Sequence, residues 1–238
     1  GPPGVGKSFL AISAVLSIAT GQRFLGYPVA KQTRSLYIIG EGTRGFGPRI
    51  TAWETQHLCE ARDVFWHNGA INLSHSDKVA ALIELVGENS IGHIFFDTYA
   101  RCTAGLDENS AKDSGLAIEA IDRIRSETSA GVTVMHHSGK DIERGSRGSN
   151  ALYAALDTEI QITDGKFKVT KQKDDEKEPP FAFTLQPVGD SVVPVYAKKG
   201  DGSKAAGALD LLRGLCGNDG HTVSSAEWKN AAGLPDTT

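Results

Sequence analysis

The chain has 238 residues, room for one large α/β domain and a small appendage. Hydrophobic residues make up 39% and charged residues 23%, a balance that excludes a mainly disordered chain. A formal net charge of −4 excludes a broadly basic coat for nucleic acid, so any contact with DNA has to be local. No apolar run approaches the ~20 residues of a membrane span, which argues against a membrane partner. Cys59, Cys102 and Cys216 lack CxxC spacing. That fits a reducing cytoplasm and argues against a disulfide framework or a structural zinc.

In chain order, residues 7–20 are apolar on nearly every face and predict a buried helix that stops at Gly21. A short buried strand over 35–39 ends at Gly40 and Glu41, and a helix follows over 48–60. A second strand (63–66), a helix (77–86), a third strand (93–96) ending at Asp97, a long helix (112–128) and a fourth strand (132–136) complete the alternation. Leu116, Ile121 and Ile124 are expected on one side of the long helix. Strands alternating with helices predict a mostly parallel sheet covered on both faces. The pattern then changes. Segments 158–162 and 166–172 flank Asp164-Gly165, a hairpin signal, and 181–185 and 192–196 follow. These are expected to add antiparallel strands to the sheet edge. The polar run 198–204 reads as a linker, and 205–238 as a partial helical segment that begins like a winged helix.

The first eight residues, Gly1-Pro2-Pro3-Gly4-Val5-Gly6-Lys7-Ser8, fit G-x-x-x-x-G-K-[ST], and Phe9 continues into the helix. Glycines let successive N–H groups point at phosphate oxygens, and a helix N-terminus adds favourable dipole. Lys7 is placed to reach the β- and γ-phosphates of ATP, and Ser8 to bind Mg²⁺. Such loops follow a strand and none precedes this one, so residues 1–197 read as a core lacking its first strand. Asp97 closes an apolar strand, where a carboxylate can hold Mg²⁺ beside the phosphates, although such a residue can also merely cap a loop. Glu41 also ends a buried strand and can take a proton from an attacking water; the alternative is an exposed turn glutamate. His136 and His137 point to opposite sides, so only one can face the nucleotide. Lys140, Arg144 and Arg147 lie in a glycine- and serine-rich loop, and Lys171 and Lys173 share one strand face.

In this order, GPPGVGKS, LYIIGEG, HIFFDT and VMHHSGKDIERGSRGSNALYAALDTEI resemble the RecA superfamily. Within it they resemble the RepA-type hexameric replicative helicases of plasmids and phages, over roughly residues 1–185. The resemblance implies a RecA-like ATPase that forms a homo-hexameric ring and translocates on single-stranded DNA. It implies Glu41 as the catalytic base, Asp97 as the Walker B acid, and His137 rather than His136 as the γ-phosphate sensor. Arg147 would be the finger acting on the next subunit, with Lys171 or Lys173 helping. Residues 99–114 and 138–149 would line the channel. The first of these loops is acidic at Asp107 and Glu108, so DNA contact is expected on Lys140 and Arg144. Lys171-Gln172-Lys173 resembles the finger strand of DnaB-type helicases, yet Lys173 stands where those carry arginine and lacks its bidentate reach. Two alternatives remain open: a RecA-like strand-binding recombination or loading ATPase, and a P-loop small-molecule kinase.

Overall fold

The computed structural model describes residues 1–137, 150–163 and 165–197, with the backbone alone at Arg44. A parallel sheet of four strands runs in the order β2-β1-β3-β4, built from β1 (Arg34–Ile39), β2 (Val64–Asn68), β3 (Ile91–Asp97) and β4 (Gly131–Met135). The alternation along β1 and β3 decides what covers each face. Leu36, Ile38, Ile94 and Phe96 point to one side and pack with Val79, Leu82 and Val86 of α3 (Ser76–Glu88) and Ile124 of α5 (Ala111–Thr128). Tyr37, Ile39 and Phe95 point to the other. There they meet Ala11, Ile12, Val15 and Leu16 of α1 (Lys7–Thr20) and Trp53 of α2 (Phe46–His57). Both faces are thus dry, as near-continuous apolar strands require.

The element boundaries follow from local chemistry. α1 ends at Gly21 in the left-handed conformation, φ 74°. α2 starts at Phe46, two residues before the proline that the sequence suggests as its first, and ends where Leu58 turns left-handed. α5 is capped by Ser110, whose hydroxyl accepts from the Asp113 N–H at 3.2 Å. Its expected face needs correction. Leu116 is 44% exposed, whereas Ala117, Ala120 and Ile124 are buried. At ~100° per residue, positions 117, 120 and 124 fall on one stripe and 116 falls off it. Two short helices, α4 (Tyr99–Cys102) and α6 (Asn150–Ala155), have no periodic signature in the sequence.

The late strands form their own antiparallel sheet rather than extending the edge of the first. It runs β5-β6-β7-β8, over Thr158–Thr163, Lys166–Gln172, Phe181–Val188 and Ser191–Ala197. β5 and β6 pair antiparallel from Thr158 with Gln172 to Thr163 with Lys166, so their ladder is satisfied locally. This sheet contributes Ile162 and Phe183 to an apolar cluster with Leu10, Leu25 and Val5, and so backs the start of α1. Residues Gly1–Tyr196 form one compact unit. The proposed linker and winged-helix segment, 198–238, lie outside the described residues. No helix among the described residues is long and apolar enough to cross a membrane.

One core histidine carries a pH dependence. His93 on β3 bonds Thr133 Oγ1 of β4 through Nε2 at 2.9 Å and meets the Phe95 ring at a tilt, with Gly131 leaving room for the ring. Burial lowers its pKa from 6.5 to about 4. The folded protein therefore binds this proton less readily than the unfolded chain. Its contribution is present above pH 6.5 and is lost as pH falls from 6.5 towards 4. Between pH 7 and pH 5 the loss should approach ~2 kcal/mol. Urea unfolding at the two pH values checks this, and His93→Gln should flatten the difference.

Candidate nucleotide-binding site

The phosphate loop is shaped by two left-handed glycines, Gly4 (φ 83°) and Gly6 (φ 88°), where any side chain would be strained. Gly6 starts α1 without a side-chain cap, and the first turn carries no acidic residue. The N-terminal N–H groups of that turn are therefore free of a competing carboxylate and suit an anion. From behind, Val5 joins the Ile162–Phe183 cluster, and Leu185 and Phe183 approach Gly6. Lys7 is only 8% exposed, and its ammonium donates to the carbonyl oxygens of Gly1, at 2.7 Å, and Pro2. Burial lowers its pKa, while the nearby Asp97 and Glu41 carboxylates pull the other way. Phe9 packs against Arg49, whose guanidinium lies 4.4 Å from the ring centroid.

Asp97 ends β3 and is 2% exposed. Its carboxylate rests on two neutral hydroxyls. Tyr37 donates to Oδ2 at 2.7 Å, and the Ser8 hydroxyl is near enough to favour the charged form. Burial pushes the Asp97 pKa up, and the two hydroxyls offset part of that rise. A buried carboxylate braced by hydroxyls is a hard-oxygen donor set suited to Mg²⁺. Glu41 follows β1. His137 Nε2 lies 3.3 Å from its Oε1, and Arg101 Nε lies 3.7 Å from its Oε2. The other ring nitrogen of His137, Nδ1, is buried and finds no partner among the described residues.

His136 points the opposite way. Its Nε2 lies 3.7 Å from Glu108 Oε2, its ring meets Tyr99, and burial lowers its pKa. The acidic residues of the first expected channel loop are engaged within the chain: Glu108 faces His136, and the Asp107 carboxylate accepts from the Asn109 N–H. The fold thus brings Lys7, Ser8, Glu41, Asp97 and His137 to the carboxyl ends of β1, β3 and β4, and directs His136 elsewhere. Lys171 donates to the carbonyl oxygens of Tyr153 (2.8 Å) and Ala154 (3.0 Å), and Lys173 pairs with Asp157 at 3.5 Å. Both cations are used inside the chain. Lys140, Arg144 and Arg147 lie outside the described residues.

Two site residues escape the sequence reading. Tyr37 was legible in principle, because a lone hydroxyl inside the apolar run SLYII needs a buried acceptor. Arg101 had no such signal, since its place depends on the short α4.

A family profile described as an AAA domain matches residues 1–143, from the phosphate loop past the end of β4. No curated protein matches the chain significantly. The matched stretch spans more than half of the sequence and carries the phosphate loop together with every strand of the parallel sheet on which Glu41 and Asp97 stand. The chain belongs to the AAA domain family of P-loop ATPases.

Proposed function

We propose that this chain is the ATPase core of a ring-forming DNA motor, a replicative helicase that moves on single-stranded DNA. The observation that carries the reading is the convergence of Glu41, Asp97 and His137, each from a different strand end, on Lys7 and Ser8 of the phosphate loop. In this reading the loop N–H groups and Lys7 hold the β- and γ-phosphates of ATP. Ser8 and Asp97 would hold Mg²⁺, which supplies charge neutralisation along the phosphates. Glu41 accepts a proton from the attacking water as the water oxygen bonds to the γ-phosphorus and ADP departs with the bridging oxygen. His137 touches Glu41 and lies two residues past the end of β4, a suitable position for sensing the γ-phosphate.

Arg147 remains the proposed finger on the neighbouring subunit, and Lys140 and Arg144 the proposed DNA contacts. Lys171 and Lys173 support this choice by being engaged locally. The test uses the intact protein, ATP, Mg²⁺ and a fluorescent forked duplex. Strand separation that requires hydrolysis is expected. ATPase stimulated by single strands without separation would favour the recombination-type reading. Phosphate transfer to a small acceptor without any response to DNA would favour a kinase. Arg147→Ala should lose about 10³-fold or more in ATPase while keeping nucleotide affinity. Mixing it with Glu41→Gln in one ring should restore activity, because some interfaces then pair an intact Arg147 with an intact Glu41. If mixed rings form and stay inactive, the intermolecular role fails.

A further inference from the structure

Resting on the reading of Glu41 as the base, we propose that Arg101 is a positioning residue that orients the Glu41 carboxylate to take a proton from the attacking water. Three observations carry this. The two oxygens of Glu41 face different partners: His137 Nε2 lies 3.3 Å from Oε1, and Arg101 Nε forms a 3.7 Å ion pair with Oε2. A carboxylate with a cationic or N–H partner beside each oxygen has a favoured rotation about its last bond, which decides where an accepted proton can come from.

The anchor of Arg101 is rigid although its tip is in solvent. Tyr99 is 2% exposed and Cys102 is fully buried, so α4 is pinned on both sides of Arg101. The backbone closes with Arg101 N–H donating to Thr98 O at 3.1 Å, Cys102 N–H to Thr98 O at 3.0 Å and Thr103 N–H to Tyr99 O at 2.9 Å. The Thr103 hydroxyl adds a bond to the same Tyr99 oxygen.

The exits of β1 and β3 are pressed together at Gly40. A Cβ there would lie 2.7 Å from Asp97 O and 2.8 Å from Arg101 Cβ. Only glycine permits that approach, and it is what sets the Arg101 stem against the backbone that carries Glu41. The pair is too exposed, at 63% and 41%, to be a stability element. Its geometry concerns Glu41 alone, since no other carboxylate among the described residues pairs with Arg101.

The experiment measures ATP hydrolysis by the intact protein for Arg101→Ala, Arg101→Lys, Glu41→Gln and the double variant, with thermal unfolding as a control. Arg101→Ala should lower kcat by about ten- to a hundredfold with KM for ATP nearly unchanged and the unfolding midpoint preserved. Arg101→Lys should recover part of the loss, since it restores the charge but not the planar fork. Under single-turnover conditions, adding Arg101→Ala to Glu41→Gln should cost nothing further, because the residue acts through Glu41. A further loss in the double variant, or a loss confined to KM, would show direct contact with the nucleotide and overturn the proposal. If Glu41→Gln is inactive while Arg101→Ala matches the wild type, the proposal alone fails. If Glu41→Gln itself turns over normally, the base assignment is what fails.

Discussion

Lys7→Ala should abolish ATP turnover, by about 10²–10³-fold or more, and weaken nucleotide binding with it. Lys7 is the cation enclosed by the loop, 8% exposed, with its ammonium lodged against the carbonyl oxygens of Gly1 and Pro2. Those carbonyls pre-position the charge before any phosphate arrives, so little reorganisation is needed when it does. Burial has already lowered the lysine's proton affinity, and an incoming triphosphate reverses that by adding negative charge alongside Asp97 and Glu41. Alanine removes both the charge and its three donors, and among the described residues Arg101 and Arg49 are committed to Glu41 and to the Phe9 ring. Steady-state ATPase and fluorescent-nucleotide titration check this together. Activity within about tenfold of wild type would remove Lys7 from the phosphate site.

Glu41→Gln should leave nucleotide affinity intact and stop turnover. The amide keeps the shape and can still meet Arg101 or His137 through its oxygen, but it cannot accept a proton from water. The loss should therefore fall on kcat, by about 10²–10⁴-fold, with Kd for ATP unchanged. The contrast with Lys7→Ala is the informative part. One variant loses binding and chemistry together, the other chemistry alone. Should Glu41→Gln hydrolyse ATP at the normal rate, the base has to be sought elsewhere at the strand ends, with the buried His137 Nδ1 the first group to examine.

The parallel half of the fold was legible because its signals are local. Helix α1 is bounded by glycines that adopt left-handed turns, and its all-round apolar character follows from burial between two sheets. β1 and β3 are short apolar runs with a carboxylate just past or at the end, and a parallel sheet collects such ends at one edge. Lys7, Ser8, Glu41 and Asp97 could therefore be picked out before any coordinates. Strand alternation narrowed the choice between His136 and His137 to one, and the family resemblance, not the spacing, picked His137. The side depends on which face of β4 meets Glu41 and which meets Glu108, a property of neighbouring strands.

By itself, the sequence determined the phosphate loop, the alternation of strands and helices and the carboxylates at the strand ends, because each is written in spacings of a few residues. Tertiary structure alone decided the rest. The late strands pair with one another, and nothing in their period-two pattern says which edge they will choose. Leu116 is exposed because the stripe facing the sheet is set by how α5 rolls onto it, and there small residues, Ala117 and Ala120, allow the close approach. Lys171 caps the carboxyl end of α6, a helix too short to announce itself. Tyr37 and Arg101 reach the site across the strand exits near Gly40, from positions 60 residues or so apart in the chain. Contacts of that separation are fixed by register between strands, and register is a long-range property that no local spacing encodes.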